Sequence, residues 1–272
     1  QGNAQFKAGN FVQAIELYTQ AINAHPDAVY YSNRAACYFS LKKYKEVIAD
    51  CEAAKRIDPK FVKAYFRAGT AYIKLGMLPE AQQSLDAGLA LDATDKSLHA
   101  EKDTVMLLQS YKAAVDAHIA NGEFADAARK LDLLVEKCEM AYDNFRRKAE
   151  VLCWMGDTDK ATAFLREKEY TFKTYNESLY YYLQAMVARY KNAFEESKRV
   201  LMTGLRMDPD SQLLKDSLKT VRAIEEAKAR ADALFKQGKH KDAIAAYDEI
   251  IKLEPYNSCL LYTLTLPTIY SV

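Results

Sequence analysis

Glycine and proline are scarce in this sequence, at 9 and 6 of its 272 residues. So few turn-forming residues, beside many long side chains, favour helices joined by short loops. No apolar run approaches the ~20 residues that a helix needs to cross a bilayer. A net charge of +1 gives no general attraction to nucleic acid or to acidic membrane. We therefore expect a folded helical protein with neither nucleic acid nor membrane as a partner.

Cysteine and catalytic motifs are also sparse. The five cysteines are odd in number, far apart and never arranged as CxxC: Cys37, Cys51, Cys138, Cys153 and Cys259. This favours buried free thiols over a disulfide framework or a zinc site. There is no P-loop, GxGxxG, GxSxG or HExxH motif, and the four histidines are dispersed. We expect neither an enzyme nor a cofactor or metal.

What the sequence does contain is a repeat of about 34 residues. Three successive segments carry small, aromatic and turn-forming residues in the same order. Each segment has two helical stretches, with turns at Gly9–Asn10, Lys42–Lys43 and Gly76–Met77. A fixed period of this kind indicates stacked units that bury a continuous core.

Small residues recur where the two helices of a unit must approach each other. They are Gly2, Ala35 and Gly69 in first helices, and Ala14 and Ala81 in second helices. A residue four positions further along each second helix is expected to fill the gap between units: Tyr18, Cys51 and Leu85. Proline, which lacks an N–H group, ends second helices at Pro26, Pro59, Pro209 and Pro255.

This pattern resembles the tetratricopeptide repeat. The resemblance implies an all-α fold, a right-handed superhelical solenoid. Later units keep the phase in a weaker form, around residues 122–131, 149–165, 181–209 and 231–255. We expect a first three-repeat set at 1–94, a linking helix at 95–110, and a second, degenerate three-repeat set at 111–210. A further linking helix and the start of a third set would follow at 211–257.

Residues 258–272 depart from the repeat. The stretch from Cys259 to Thr268 is uncharged, and Pro267 blocks a helix. Part of it resembles the translation of a sequencing adapter, so the tail is interpreted as an artefact, with a truncated final helix as the alternative. Its deletion should leave the melting temperature nearly unchanged or raise it.

Four polar residues fall on first helices, which line the concave groove of a solenoid. Lys63 and Arg67 are four residues apart and share one helical face. Asn33 and Arg67 stand two residues before Ala35 and Gly69, so they occupy equivalent places, and Asn3 follows Gly2 directly. Two cations and two carboxamides in one groove suit an anion, such as the C-terminus of an acidic peptide.

These four residues resemble four of the five members of the two-carboxylate clamp of Hsp70- and Hsp90-binding co-chaperones. The fifth, a lysine four residues before Asn3, would precede Gln1. By this resemblance the ligand is the Glu-Glu-Val-Asp tail of those chaperones. Phe6, Phe39 and Phe66 fall near the groove and are candidate contacts for apolar side chains of the peptide. Phe6 and Phe39 fit the core between repeats equally well.

The order and spacing of the repeats resemble the DnaJ subfamily C member seven type of co-chaperone. That resemblance implies a cytoplasmic adaptor, with the nucleus as an alternative location, client proteins as further partners, and a J domain. The J-domain signature His-Pro-Asp does not occur here. Asp232 stands where a second clamp would need asparagine, although Lys228 matches the preceding lysine. Two other functions stay open: a scaffold in an unrelated assembly, and regulatory repeats of an enzyme whose catalytic domain lies elsewhere.

Overall fold

The computed structural model describes residues 1–254 and Tyr256, and within them the protein contains helices and no strand. The first six helices pair into three units: α1 (Gly2–Lys7) with α2 (Phe11–Ala24), α3 (Ala28–Ser40) with α4 (Tyr44–Ile57), and α5 (Val62–Leu75) with α6 (Leu78–Leu91). The next four helices are α7 (Lys96–Ala120), α8 (Phe124–Lys137), α9 (Tyr142–Trp154) and α10 (Thr158–Glu167). The last five are α11 (Glu169–Tyr175), α12 (Glu177–Tyr190), α13 (Phe194–Met207), α14 (Gln212–Lys236) and α15 (His240–Leu253). The expected all-α repeat fold is confirmed.

The turns inside the first three units fall where the sequence places them. Gly9 and Gly76 adopt φ of +79° and +74°, a left-handed conformation that glycine enters without steric cost. Lys42 takes the same position with φ of +58°. Each left-handed residue ends a first helix and reverses the chain, so the second helix folds back against the first.

The small residues of the repeat permit this close packing. A Cβ placed on Gly69 would lie 2.6 Å from Cδ2 of Leu85, which is fully buried. A Cβ on Gly2 would lie 2.8 Å from the ring of Tyr18. Ala35 and Cys51 are both fully buried at the corresponding positions of the second unit. In the first and third units the small residue of the first helix therefore packs against a bulkier residue of the same unit, whereas the sequence led us to expect that bulkier residue in the gap between units.

Two helices of 25 residues, α7 and α14, are longer than the others. Residues 95–121 and 211–237 contain no glycine or proline, so no residue type that breaks a helix interrupts them. Helix α7 therefore passes through residue 110 without a break and also supplies the first helix of the fourth repeat. Helix α14 likewise serves as the linking helix and as the first helix of the seventh repeat.

The fifth repeat is irregular in a way that the sequence pattern does not indicate. Its second helix is divided into α10 and α11 at Lys168. The division places Phe172 in the core, fully buried, with its ring centroid 5.5 Å from that of Phe145 and 5.8 Å from that of Tyr180. The fifth repeat thus has an aromatic cluster in its core beside the buried small residues Ala149 and Ala161.

The chain divides into two compact units, one formed by residues 1–120 and 129–144, and the other by 121–128 and the described residues from 145 onward. Within the first unit, Glu139 pairs with Lys42 at 2.7 Å and with Lys74 at 2.9 Å. The Met140 N–H also donates to the carbonyl of Lys74 at 2.9 Å. These contacts fasten the end of the fourth repeat to the second and third.

The second unit has an internal ion pair at a comparable place. Nε of Arg189, at the end of α12, lies 2.5 Å from a carboxylate oxygen of Glu254, just after α15, and both side chains are almost completely buried. The ring of Tyr256 packs on Trp154, with centroids 5.0 Å apart. The end of the seventh repeat is thereby held to the fifth and sixth.

No described helix is both long enough and apolar enough to cross a membrane. Cys37, Cys51, Cys138 and Cys153 are buried free thiols, as expected. Burial raises the pKa of Cys37 and Cys138 to about 11. It raises the pKa of Cys51 and Cys153 to about 12. The predictions for Cys259 and the rest of 258–272 fall outside the described residues.

Candidate functional site

A pocket of about 160 Å³ lies among the first helices of the first repeat set. It is lined by Asn3, Phe6, Lys7, Tyr18, Asn33, Ala36 and Arg67. Three of the four residues singled out from the sequence are therefore brought together. They lie on α1, α3 and α5, because the repeat phase presents the same face of each first helix to one groove.

A hydrogen-bond network holds the two asparagines at the pocket. The Tyr18 hydroxyl donates to Oδ1 of Asn3 at 2.6 Å. Nδ2 of Asn33 approaches the same oxygen at 3.5 Å, a weak contact. Burial raises the pKa of Tyr18, so its hydroxyl stays protonated and remains a donor. With Oδ1 engaged, the Asn3 carboxamide keeps its N–H donors for a ligand.

Arg67 is anchored to the second repeat. Its Nη1 donates to the main-chain carbonyl and to the hydroxyl of Ser32, which is buried. Burial lowers the pKa of Arg67, but guanidinium remains charged at physiological pH. The donors on Nε and Nη2 have no hydrogen-bond partner among residues 1–254 and Tyr256. A charged, fixed fork with free donors is suited to a carboxylate.

Lys63 lies differently from the other three predicted residues. It is exposed on α5, one turn before Arg67, and is not part of the pocket lining. In the described part of the chain it forms no ion pair, so its ammonium group is available. The four-residue spacing in the sequence places Lys63 and Arg67 on one face of α5, but only the folded structure shows that Lys63 lies outside the pocket lining.

The three candidate aromatic residues differ in their surroundings. Phe6 lines the pocket and packs on Phe11, with ring centroids 5.6 Å apart. Phe39 packs against the core of the first unit, with its ring 5.2 Å from that of Tyr44. Phe66 is half-buried and lies outside the pocket lining. Of the three, Phe6 is the one placed to touch a ligand in this pocket.

Lys7 is a pocket residue that the repeat pattern did not single out. It lies four residues after Asn3 on α1, so the two share a helical face, and it is exposed without an ion pair among the described residues. The spacing from Asn3 is a signal that was available in the sequence. Among the described residues, Lys7 and Arg67 are the two charged members of the lining, and no carboxylate accompanies them.

The second repeat set does not repeat this arrangement. Asn192 and Gly238 have positive φ, as do Gly76 and Gly122, each 116 residues earlier. The residues 116 positions after Lys63 and Arg67 are Leu179 and Leu183. Both leucines are buried, at 8% and 0% exposure, so these positions in the second set fill the core and offer no charge.

The seventh repeat repeats one part of the site with altered chemistry. The Tyr247 hydroxyl donates to Oδ1 of Asp232 at 2.7 Å, as Tyr18 does to Asn3. Lys228 pairs with the other carboxylate oxygen at 3.0 Å. Burial raises the pKa of Asp232, but the hydrogen bonds from Tyr247 and Lys228 outweigh it and leave the pKa below its usual value. The ionised carboxylate would repel an anionic ligand.

Comparison with known proteins defines the class of this protein. Family models described as tetratricopeptide repeat match residues 1–28, 28–61, 62–95 and 224–257. The crystal structure of the P58(IPK) TPR domain superposes with a TM-score of 0.67 at 20% identity, covering 96% of this chain and 73% of that one. The chain therefore contains tetratricopeptide repeats.

The chain is homologous to DnaJ homolog subfamily C member 7. The human protein is 25% identical over 258 residues, covering 94% of this chain and 52% of the relative. Heat shock protein STI1 of Saccharomyces cerevisiae is 41% identical over 116 residues, covering 42% of this chain and 20% of the relative. The chain thus resembles co-chaperones and spans about half the length of its DnaJ-type relatives.

Proposed function

We propose that this chain is a co-chaperone adaptor whose first repeat set binds the acidic C-terminal tail of Hsp70 or Hsp90, the Glu-Glu-Val-Asp sequence. The observation that carries the proposal is the composition of the pocket lining. Within the part of the chain that the structure describes, its charged residues are cationic, its carboxamides have free donors, and it contains no carboxylate. Such a site favours a ligand with several acceptor oxygens and negative charge.

Each residue has a distinct part in the proposed complex. Arg67 holds the terminal carboxylate with its free fork, and the amides of Asn3 and Asn33 donate to the same group. Lys63, one turn away on α5, reaches an acidic side chain of the tail with its flexible stem. Phe6 provides the apolar wall against the valine.

The homology to DnaJ-type and STI1 co-chaperones supports a role in chaperone recruitment. We propose that the protein acts as a non-catalytic adaptor in the cytoplasm and that the second repeat set contacts another protein such as a client. The buried leucines at 179 and 183 explain why the second set would not hold a chaperone tail.

The test is a calorimetric titration of the full chain with a peptide ending in Glu-Glu-Val-Asp and with the same peptide amidated at its C-terminus. We expect the amide to bind about tenfold or more weakly, because it loses a charge-assisted hydrogen bond of ~1.5–3 kcal/mol. Raising the salt concentration should weaken the acid form more than the amide. Equal affinity for the two peptides would refute the proposed function and would favour the alternative that the protein is a scaffold in an unrelated assembly.

A further inference from the structure

The cationic residues of the pocket lining are Arg67 and Lys7, whereas Lys63 lies outside it. Arg67 has one nitrogen committed to Ser32, and its charge is partly buried. Lys7 stands at the other side of the groove, on the first of its three helices. It is exposed, and among the described residues its ammonium group has no partner. The pocket therefore presents an unneutralised cation on each of α1 and α5.

We propose that Lys7 is a specificity-determining residue of this site and binds a third carboxylate of the ligand, on an acidic side chain other than the one held by Lys63. The inference rests on the proposed function and extends it. A ligand that spans the groove meets Arg67 and Lys63 on α5, Asn33 on α3, and Asn3 and Lys7 on α1. The site thereby selects peptides with at least two acidic side chains besides the terminal carboxylate.

The physical basis is charge complementarity across three helices. One turn of helix separates Asn3 from Lys7, a rise of about 6 Å over four residues. A carboxamide and an ammonium group at that separation can engage groups on successive residues of an extended peptide, whose residues are about 3.3 Å apart. Because Lys7 is exposed, its pair with a carboxylate is worth less than the contacts of Arg67 and is screened by salt. Lys7 is thus expected to tune specificity, with Arg67 supplying the main affinity.

The experiment is a double-mutant cycle in the full chain. Lys7→Gln and the parent are each titrated with the Glu-Glu-Val-Asp peptide and with two variants in which one glutamate is replaced by glutamine. We expect Lys7→Gln to weaken the parent peptide about two- to fivefold, in the range of exposed ion pairs. The loss should disappear for the variant that lacks the glutamate facing Lys7. Lys43→Gln serves as the matched control, because Lys43 is an exposed lysine outside this pocket that has no ion-pair partner in the described ranges.

The outcomes separate this inference from the proposed function. If the amidated peptide binds as well as the acid, the proposed function fails, and the inference fails with it. If the acid form is preferred but Lys7→Gln loses equally for all three peptides, or loses nothing, the proposed function stands and the role of Lys7 is overturned. A loss for Lys43→Gln as large as that for Lys7→Gln would also overturn it, because general charge would then explain the effect.

Discussion

Replacing Arg67 is the sharpest perturbation of the proposed site. In the free protein Nη1 of Arg67 donates to Ser32, while Nε and Nη2 keep their donors. Arg67→Ala removes the fork that would hold the terminal carboxylate. Arg67→Lys retains a charge but cannot form two parallel hydrogen bonds to one carboxylate. The two variants therefore separate the contribution of charge from that of geometry.

The expected magnitude follows from the contacts that are lost. A hydrogen bond to a charged group contributes ~1.5–3 kcal/mol, which corresponds to a loss of about ten- to a hundredfold in affinity for Arg67→Ala. Arg67→Lys should fall between that variant and the parent. Lys63→Ala should act in the same direction, by a smaller factor, because Lys63 is exposed and lies outside the pocket lining.

The assay must distinguish binding from folding, because Arg67 also bonds to buried Ser32. Thermal unfolding of each variant would be recorded first, and the titrations carried out well below the lowest melting temperature. Lys43→Ala, an exposed lysine outside this pocket, is the control for loss of charge. If folded Arg67→Ala binds the acidic peptide as tightly as the parent does, the assignment of the carboxylate to Arg67 is refuted.

Three further predictions concern stability. Gly69→Ala should lower the free energy of unfolding by about 1–3 kcal/mol in a denaturant titration, because its Cβ would meet Leu85. The double variant with Leu85→Ala should lose less stability than the sum of the two single variants, and simple additivity would contradict the packing argument. Glu254→Gln should lower the free energy of unfolding by about 3–5 kcal/mol, because it leaves Arg189 buried without its charge partner. Replacing both residues by leucine should leave the stability close to that of the parent, and equal losses for the two variants would show that the charge pair is not the cause. Burial raises the pKa of Glu139, but the hydrogen bonds from Lys42 and Lys74 outweigh it, so the folded-state pKa lies below the unfolded one. The stabilisation by Glu139 is therefore present above the unfolded-state pKa and is lost as the pH falls through the folded-state pKa. Between about pH 6 and 3, the free energy of unfolding of Glu139→Gln should depend less on pH than that of the parent, and parallel curves would contradict this.

The regular part of the fold could be predicted because its determinants are local and periodic. The turns at Gly9, Lys42 and Gly76 fall where the repeat places them, and Gly69 lies at a close helix contact, as its small size predicts. A residue type that recurs in every repeat is visible in one sequence, since each copy supports the interpretation of the next. The positions of Asn3, Asn33 and Arg67 on one groove follow from the same phase.

The irregular features could not be predicted, because each depends on residues far apart in the chain. The division between α10 and α11 is coupled to the packing of Phe172 between Phe145 and Tyr180. The ion pair between Arg189 and Glu254 joins residues 65 positions apart, and neither residue interrupts the helical pattern. Periodicity assigns a residue to a face of its own helix and does not specify which distant side chain covers that face.

The sequence by itself determined the helices, their pairing and the face on which the site lies, because backbone propensity and hydrophobic period act over a few residues. The tertiary structure decided the members of the pocket. Lys7 belongs to the pocket lining and Lys63 does not, although both lie on first helices of the first repeat set. The physical reason is that a pocket is defined by the directions of side chains from three helices at once. Two of those directions are set by hydrogen bonds, from Tyr18 to Asn3 and from Arg67 to Ser32.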